Sequence, residues 1–159
     1  MSELTARTSS EPHDGPVVTP GDPAHEPVAA ATDAIWAWVD ANLDPTTKLV
    51  PIGFSQGGLM ATELLRTRPD RIASTVVLGG FVQGTKRPAD AVLAQSRPPV
   101  FWGRGSADTV IATPAVARTE AGLPAHTTLT RRSYPGLAHA INADEAADVR
   151  EFLHQIVGP

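Results

Sequence analysis

Gly53-Phe54-Ser55-Gln56-Gly57 has the pattern G-x-S-x-G. In that pattern a serine stands at a sharp turn between a strand and a helix, with its hydroxyl held out over the edge of a sheet. The turn strains the serine's backbone, and side chains at the flanking positions would strike the neighbouring strand or helix. Glycine is therefore expected on both sides. Five residues alone discriminate poorly, so the flanks matter. Lys48-Leu49-Val50-Pro51-Ile52 is a short apolar run of strand character, and the stretch from Gly58 to Arg66 has helical spacing and a basic end. Strand, turn and helix are the setting the motif requires.

The chain downstream supplies two partners in a fixed order. Pro98-Pro99-Val100-Phe101-Trp102-Gly103 reads as a buried strand that runs into Arg104-Gly105-Ser106-Ala107-Asp108. Leu129-Thr130-Arg131-Arg132-Ser133-Tyr134 alternates like a strand and ends in Pro135-Gly136-Leu137-Ala138-His139. Asp108 and His139 thus both follow the carboxyl end of a strand, the rim where open parallel sheets place their sites. Serine, then an acid, then histidine is the chain order of a hydrolase built around this turn.

Those residue types define a chemistry. A serine hydroxyl becomes a competent nucleophile when a base takes its proton, and His139 is the expected base. Asp108 would orient the imidazole and stabilise the imidazolium. The backbone N–H of Gln56 would donate to the developing oxyanion. An acyl-serine would form and be released by water. Each residue also has a plainer reading. Ser55 could be an ordinary helix N-cap, Asp108 a loop residue capping the segment from Thr109, and His139 a loop histidine packed on Tyr134.

The strings GFSQGG, GSADTVI and YPGLAH, with the closing helix, resemble the phospholipase/carboxylesterase family of α/β-hydrolases, which includes the acyl-protein thioesterases. The resemblance runs roughly from Val28 to Val157. It implies Ser55, Asp108 and His139 as a catalytic triad that cleaves carboxylic esters or thioesters with no metal or organic cofactor. The family places several strands before the elbow and draws a second oxyanion donor from an early His-Gly loop. Here 54 residues precede Ser55. His13-Asp14-Gly15 is the nearest counterpart of that loop. The expectation is therefore an N-terminally truncated α/β-hydrolase-like fold. Residues 1–27 would form an irregular or disordered tail, and residues 28–159 the carboxyl-terminal two-thirds of the usual domain. A truncated or degenerate hydrolase with weak or no activity, or a binding module without catalysis, stays open beside the esterase reading. Phe81, Val82, Val110 and Leu137 are candidates for a substrate pocket on position alone.

Composition bounds the rest. The 159 residues suit one domain with a real core. Net charge −4 and the absence of a basic run give no footprint for nucleic acid. Zero Cys excludes disulfides and thiol catalysis, and the five His residues include no H-x-x-x-H pair, so no metal is expected. The N-terminus lacks the apolar core of a signal peptide, and no apolar run is long enough to span a membrane. A cytoplasmic location and a small-molecule substrate are expected.

Read for elements, the chain alternates. A helix is expected over residues 28–43, with Ile35, Trp38 or Val39, and Leu43 inward. A strand follows over 49–54, then a helix over 55–68, a strand over 74–78 and a loop with one short helix over 86–96. The last part gives a strand over 100–103, a helix over 113–121 opened by Pro114, a strand over 127–134 and a helix over 142–157. Asn142 would cap that last helix, with Val149, Phe152, Leu153 and Ile156 as its buried stripe. About four strands alternating with helices predict a mostly parallel sheet flanked by helices. Trp36, Trp38 and Trp102 read as packing residues, Arg131-Arg132 as a solvated strand end, and His126 and His154 as surface residues. With upstream strands missing, the elbow strand becomes an exposed edge, and apolar edges invite pairing with a second copy of the chain.

Overall fold

The computed structural model describes residues 23–158. The elements run α1 (His25–Asn42), β1 (Ile52–Phe54), α2 (Gln56–Thr67), a 3₁₀ turn (Pro69–Arg71), β2 (Thr75–Leu78), α3 (Asp90–Ser96), β3 (Pro99–Gly105), α4 (Thr113–His126), β4 (Thr128–Tyr134) and α5 (Ala143–Val157). The four strands form one sheet in the order β1-β2-β3-β4, and every pairing is parallel. Strand and helix strictly alternate because parallel neighbours cannot be joined by a tight turn. The expected α/β architecture is the one observed.

The two sheet faces carry different helices. On one face Val77, Val100 and Trp102 pack with Trp36 and Val39 of α1, Leu64 and Leu65 of α2, Leu93 of α3 and Leu123 of α4. On the other, Val76, Leu78 and Phe101 meet Phe152 of α5, with Val149, Leu153 and Ile156 around it, the stripe expected from sequence. The β2 side chains and Val100, Phe101 and Trp102 of β3 are buried on both faces, as their apolar runs require.

Several expectations need correction. The first helix begins at His25, so residues 25–27 are helical rather than part of a tail; the expectation for residues 1–22 lies outside the described residues. Trp38 is 61% exposed, and Trp36, at 3%, takes the inward place. The inward set Val28, Thr32, Trp36, Val39 follows spacings of three and four, and Trp38 falls off that stripe. Trp36 is fixed by an Nε1–H bond to the Thr67 hydroxyl and by the Arg68 guanidinium 4.7 Å above its ring. The elbow strand is shorter than expected. Leu49 makes one isolated bridge to Ile72, and regular pairing resumes only at Ile52, after Pro51, which has no N–H to give. As expected, β1 lies at an edge of the four-stranded sheet, and Ile52 is 54% exposed.

Helix α4 runs past Gly122 and through Pro124 to His126, where sequence signals stop it at Ala121. Its exposed carbonyl end finds a donor elsewhere. Arg97, held in a left-handed conformation at φ 46°, directs its guanidinium to the carbonyls of Pro124, Ala125 and Thr127. A cation there also complements the helix dipole.

The loop after β2 is clamped by an ion network that sequence patterns do not show. Glu63 of α2 is fully buried. Its carboxylate takes Arg87 on one oxygen and Arg66 on the other, at 3.1 Å. Arg66 also binds both oxygens of Asp90 and the carbonyls of Gln83 and Thr85. Four charges and the loop main chain thus satisfy one another, with Glu63 fully shielded from water and its partners partly so. Removing one partner would strand the others, at a cost of about 3–5 kcal/mol. Glu63→Ala should lose about that much in urea denaturation. A loss below about 1 kcal/mol, the range of a solvated surface pair, would show that water already screens the network.

Candidate active site

Ser55 sits between β1 and α2 with φ 55° and ψ −119°, outside the range that residues with a Cβ normally occupy. The conformation is held from both sides. The Ser55 N–H donates to Leu78 of β2 at 2.8 Å, and its carbonyl accepts from Gly58 and Leu59. Ser55 does occupy the N-cap position, but its hydroxyl makes no capping bond. The hydroxyl instead lies 2.8 Å from Nε2 of His139.

Only one flanking glycine has the expected steric role. A Cβ on Gly53 would lie 2.0 Å from the carbonyl oxygen of Gly57, which forbids any side chain. A Cβ on Gly57 would meet nothing within 4 Å. The second constrained position is Gly58, where a Cβ would come 2.9 Å from Cα of Gly80. Gly80 faces the reciprocal contact, at 2.8 Å from Cα of Gly58. The start of α2 therefore lies backbone to backbone on the end of β2.

Asp108 and His139 come from adjacent strand ends that are bound to each other through the main chain. Ser106 N–H donates to Tyr134 C=O, Ala107 N–H to Leu137 C=O, and Gly136 N–H to the Ser106 hydroxyl. Gly105 allows this approach, since a Cβ there would lie 2.0 Å from the Leu137 oxygen. Within this frame His139 Nδ1 is 2.8 Å from Oδ2 of Asp108. The other oxygen, Oδ1, accepts from the backbone of Val110 at 2.9 Å and of Ile111 at 3.4 Å. Asp108 thus caps its own turn, the plainer role, and orients His139 as well. Burial pulls its carboxyl upward, but the bonds from His139, Val110 and Ile111 outweigh that and hold it below the usual carboxylate range.

The imidazole is gripped by residues that sequence analysis did not single out for this role. The Phe54 ring lies 4.7 Å from it, centroid to centroid. On the same side is Gly79, at φ 52°, where a Cβ would stand 3.2 Å from Phe54 and 3.5 Å from His139. The Gly79-Gly80 pair, directly after the β2 run, is the available sequence signal. Gln56 opens α2, so its N–H is among the first-turn donors that a helix leaves without an intrahelical acceptor.

The pocket candidates divide. Val110 is 45% exposed, and Leu137, in the His139 loop, is half-buried. Phe81, 4% exposed, is packed among Val28, Leu59, Ile111 and Ala115. Val82 lines a separate cavity of about 160 Å³ with Leu65, Leu93 and Leu123, beside the carboxyl half of α2. His13-Asp14-Gly15 lies outside the described residues. Among the described residues, no cluster of three His, Asp or Glu could hold a metal ion.

Comparison with known proteins finds relatives over most of this chain. The sequence profile of the phospholipase/carboxylesterase family matches residues 22–157. An acyl-protein thioesterase 1 of Cryptococcus neoformans is 28% identical over 143 residues, which cover 80% of this chain and 60% of that one. A probable carboxylesterase of Oryza sativa is 25% identical, over 79% of this chain and 49% of its own length. Among solved structures, Zea mays acyl-protein thioesterase 2 superposes with a TM-score of 0.67 at 21% identity, covering 84% of this chain and 66% of that one. The Bacillus cereus carboxylesterase gives 0.68 at 18%, covering 82% and 62%. The chain therefore spans 60% or less of the length of these curated relatives.

The glycines make a discriminating pair of variants. Gly53→Ala should cost at least about 1–3 kcal/mol, since backbone must move to admit the methyl. Gly57→Ala, in open space at the start of a helix, should gain about 0.5–1 kcal/mol. Thermal melts of the two compare them directly, and equal melting temperatures would contradict the asymmetry.

Proposed function

This chain belongs to the phospholipase/carboxylesterase family, and we propose that it cleaves carboxylic esters or thioesters of small acyl substrates through an acyl-serine intermediate. The observation that carries this reading is the unbroken hydrogen-bonded chain Ser55 Oγ, His139 Nε2, His139 Nδ1, Asp108 Oδ2, with both links at 2.8 Å.

In the reading, His139 takes the Ser55 proton as the hydroxyl attacks the acyl carbonyl, then returns it to the leaving alcohol or thiol. A second turn of the same cycle uses water as the nucleophile and frees the acid. Asp108 fixes the tautomer, because its carboxylate accepts from Nδ1–H and leaves Nε2 to face the serine. The Gln56 N–H, at the amino end of α2, meets the oxyanion where the helix dipole also favours negative charge. Every group this cycle assigns is a protein side chain or backbone amide, so the reading involves no cofactor. Val110 and Leu137 are the pocket candidates that keep solvent exposure, and they flank Asp108 and His139 in the chain.

Hydrolysis of a p-nitrophenyl ester series compares the wild type with Ser55→Ala. Turnover of short acyl chains should fall by about 10⁴–10⁶ in the variant, the usual scale for losing the nucleophile of such a unit. Equal rates in wild type and Ser55→Ala would sink the assignment.

A further inference from the structure

Glu145 is a buried carboxyl that the proposed cycle leaves unused. It lies in the first turn of α5, 1% exposed. Among the described residues neither of its carboxyl oxygens has a hydrogen-bond partner. Buried polar atoms are almost always bonded, so a carboxyl with both oxygens unmet calls for an explanation. Its place is built for it. A Cβ on Gly103 of β3 would stand 2.2 Å from Oε1, so the carboxyl fills a notch that only glycine leaves open.

That notch touches the support of His139 at two points. The Glu145 N–H donates to Oδ1 of Asn142, the residue three places after His139. On the other side, the Gly103 carbonyl accepts from Gly79 N–H at 2.8 Å. Gly79 borders the imidazole, with room for no more than a Cβ between them at 3.5 Å from the ring. We propose that Glu145 is a positioning residue for His139, seated in the Gly103 notch only while its carboxyl carries a proton, so that its ionisation closes the site from the alkaline side. The proposal rests on the reading of Ser55 and His139 given above.

The surroundings supply the sign. Facing Glu145 are Asp148 from its own helix and Tyr134 from β4. The Tyr134 hydroxyl donates to Asp148, and Arg132 of β4 lies 3.6 Å from that same carboxylate. The cation is thus engaged by Asp148, and Asp148 presents negative charge toward Glu145. Burial, reinforced by Asp148, pushes the Glu145 carboxyl up to about 7. Below that pH it is neutral and dry. Above it, an unpaired charge must reach water, which draws the first turn of α5 and Asn142 off β3. The folded-state value is raised above that of an unfolded carboxyl. The associated stability is therefore complete below the ordinary glutamate range, falls as pH rises toward 7, and is level beyond.

Three measurements on Glu145→Gln against wild type decide the matter. The variant keeps the shape of the neutral carboxyl and cannot ionise. Wild-type ester hydrolysis should pass through a maximum and then fall, by up to about tenfold per pH unit if the ionised form is inactive. Glu145→Gln should hold its plateau. The wild-type melting temperature should drop between pH 5 and 7 while that of Glu145→Gln stays level. Imidazole NMR of labelled protein, which needs no turnover, should show the His139–Asp108 hydrogen-bonded proton persisting above pH 8 in the variant and fading in wild type. Gly103→Ala gives an independent check by filling the notch. It should lower activity and weaken the His139 signal even at pH 6, and a variant matching wild type there would overturn the proposal. So would an alkaline limb and an NMR signal unmoved by Glu145→Gln, even with a shifted melting curve. If Ser55→Ala left hydrolysis unchanged, the hydrolase reading would fall instead, and the NMR and melting data would still judge Glu145.

Discussion

The backbone of Ser55 is the constraint on which the site depends. A non-glycine residue at φ 55° and ψ −119° costs on the order of 1–3 kcal/mol. The strain persists because neighbours leave no alternative. Gly53 sits under the carbonyl of Gly57, Gly58 sits on Gly80, and the Ser55 N–H is committed to Leu78. Relaxing the serine would break the β2 hydrogen bond and open the contact between α2 and the sheet. The return on the strain is directional. It turns the hydroxyl away from its own helix N-terminus, where a serine would ordinarily cap, and toward Nε2 of His139.

His139 is placed by a different means. Its loop has little regular structure, and its position comes from the strand ends beneath it. The bonds between 106–107 and 134–137 make the two loops after β3 and β4 one unit. Adjacent parallel strands deliver both loops to the same rim, since all four carboxyl ends point one way. Phe54, from the elbow strand, and Gly79, from the end of β2, then close on the imidazole. Each of the four strands thus contributes to holding this one side chain.

Much of this was legible in the sequence because the signals are local. The order Ser55, Asp108, His139 and their positions after apolar runs are read along the chain, and the structure brings all three within hydrogen-bonding distance. The α5 stripe and the Asn142 cap depend on spacings within one helix and match as expected. What escaped was either a matter of phase or of distance. Trp38 and Trp36 differ by two positions on α1, enough to move a side chain from the core to solvent. Gly57 looks as constrained as Gly53, yet the close contact belongs to Gly58, which meets Gly80 across 22 residues. The extension of α4 depends on Arg97, and the burial of Glu63 on Arg87, partners that no periodicity reveals.

Two buried carboxyls near the carboxyl ends of the strands are shifted in opposite directions, and their difference is one of donors rather than depth. Asp108 and Glu145 are 8% and 1% exposed, and burial pushes both upward. Asp108 receives His139 and two backbone N–H groups, which more than repay the lost hydration and keep it ionised. Glu145 spends its own N–H on Asn142, meets Asp148 across its helix, and finds no donor among the described residues. A charge is thereby favoured beside Nδ1 of His139 and disfavoured in the Gly103 notch. Depth alone therefore does not decide which of the two acids is driven toward its charged form; the donors that reach each carboxyl do.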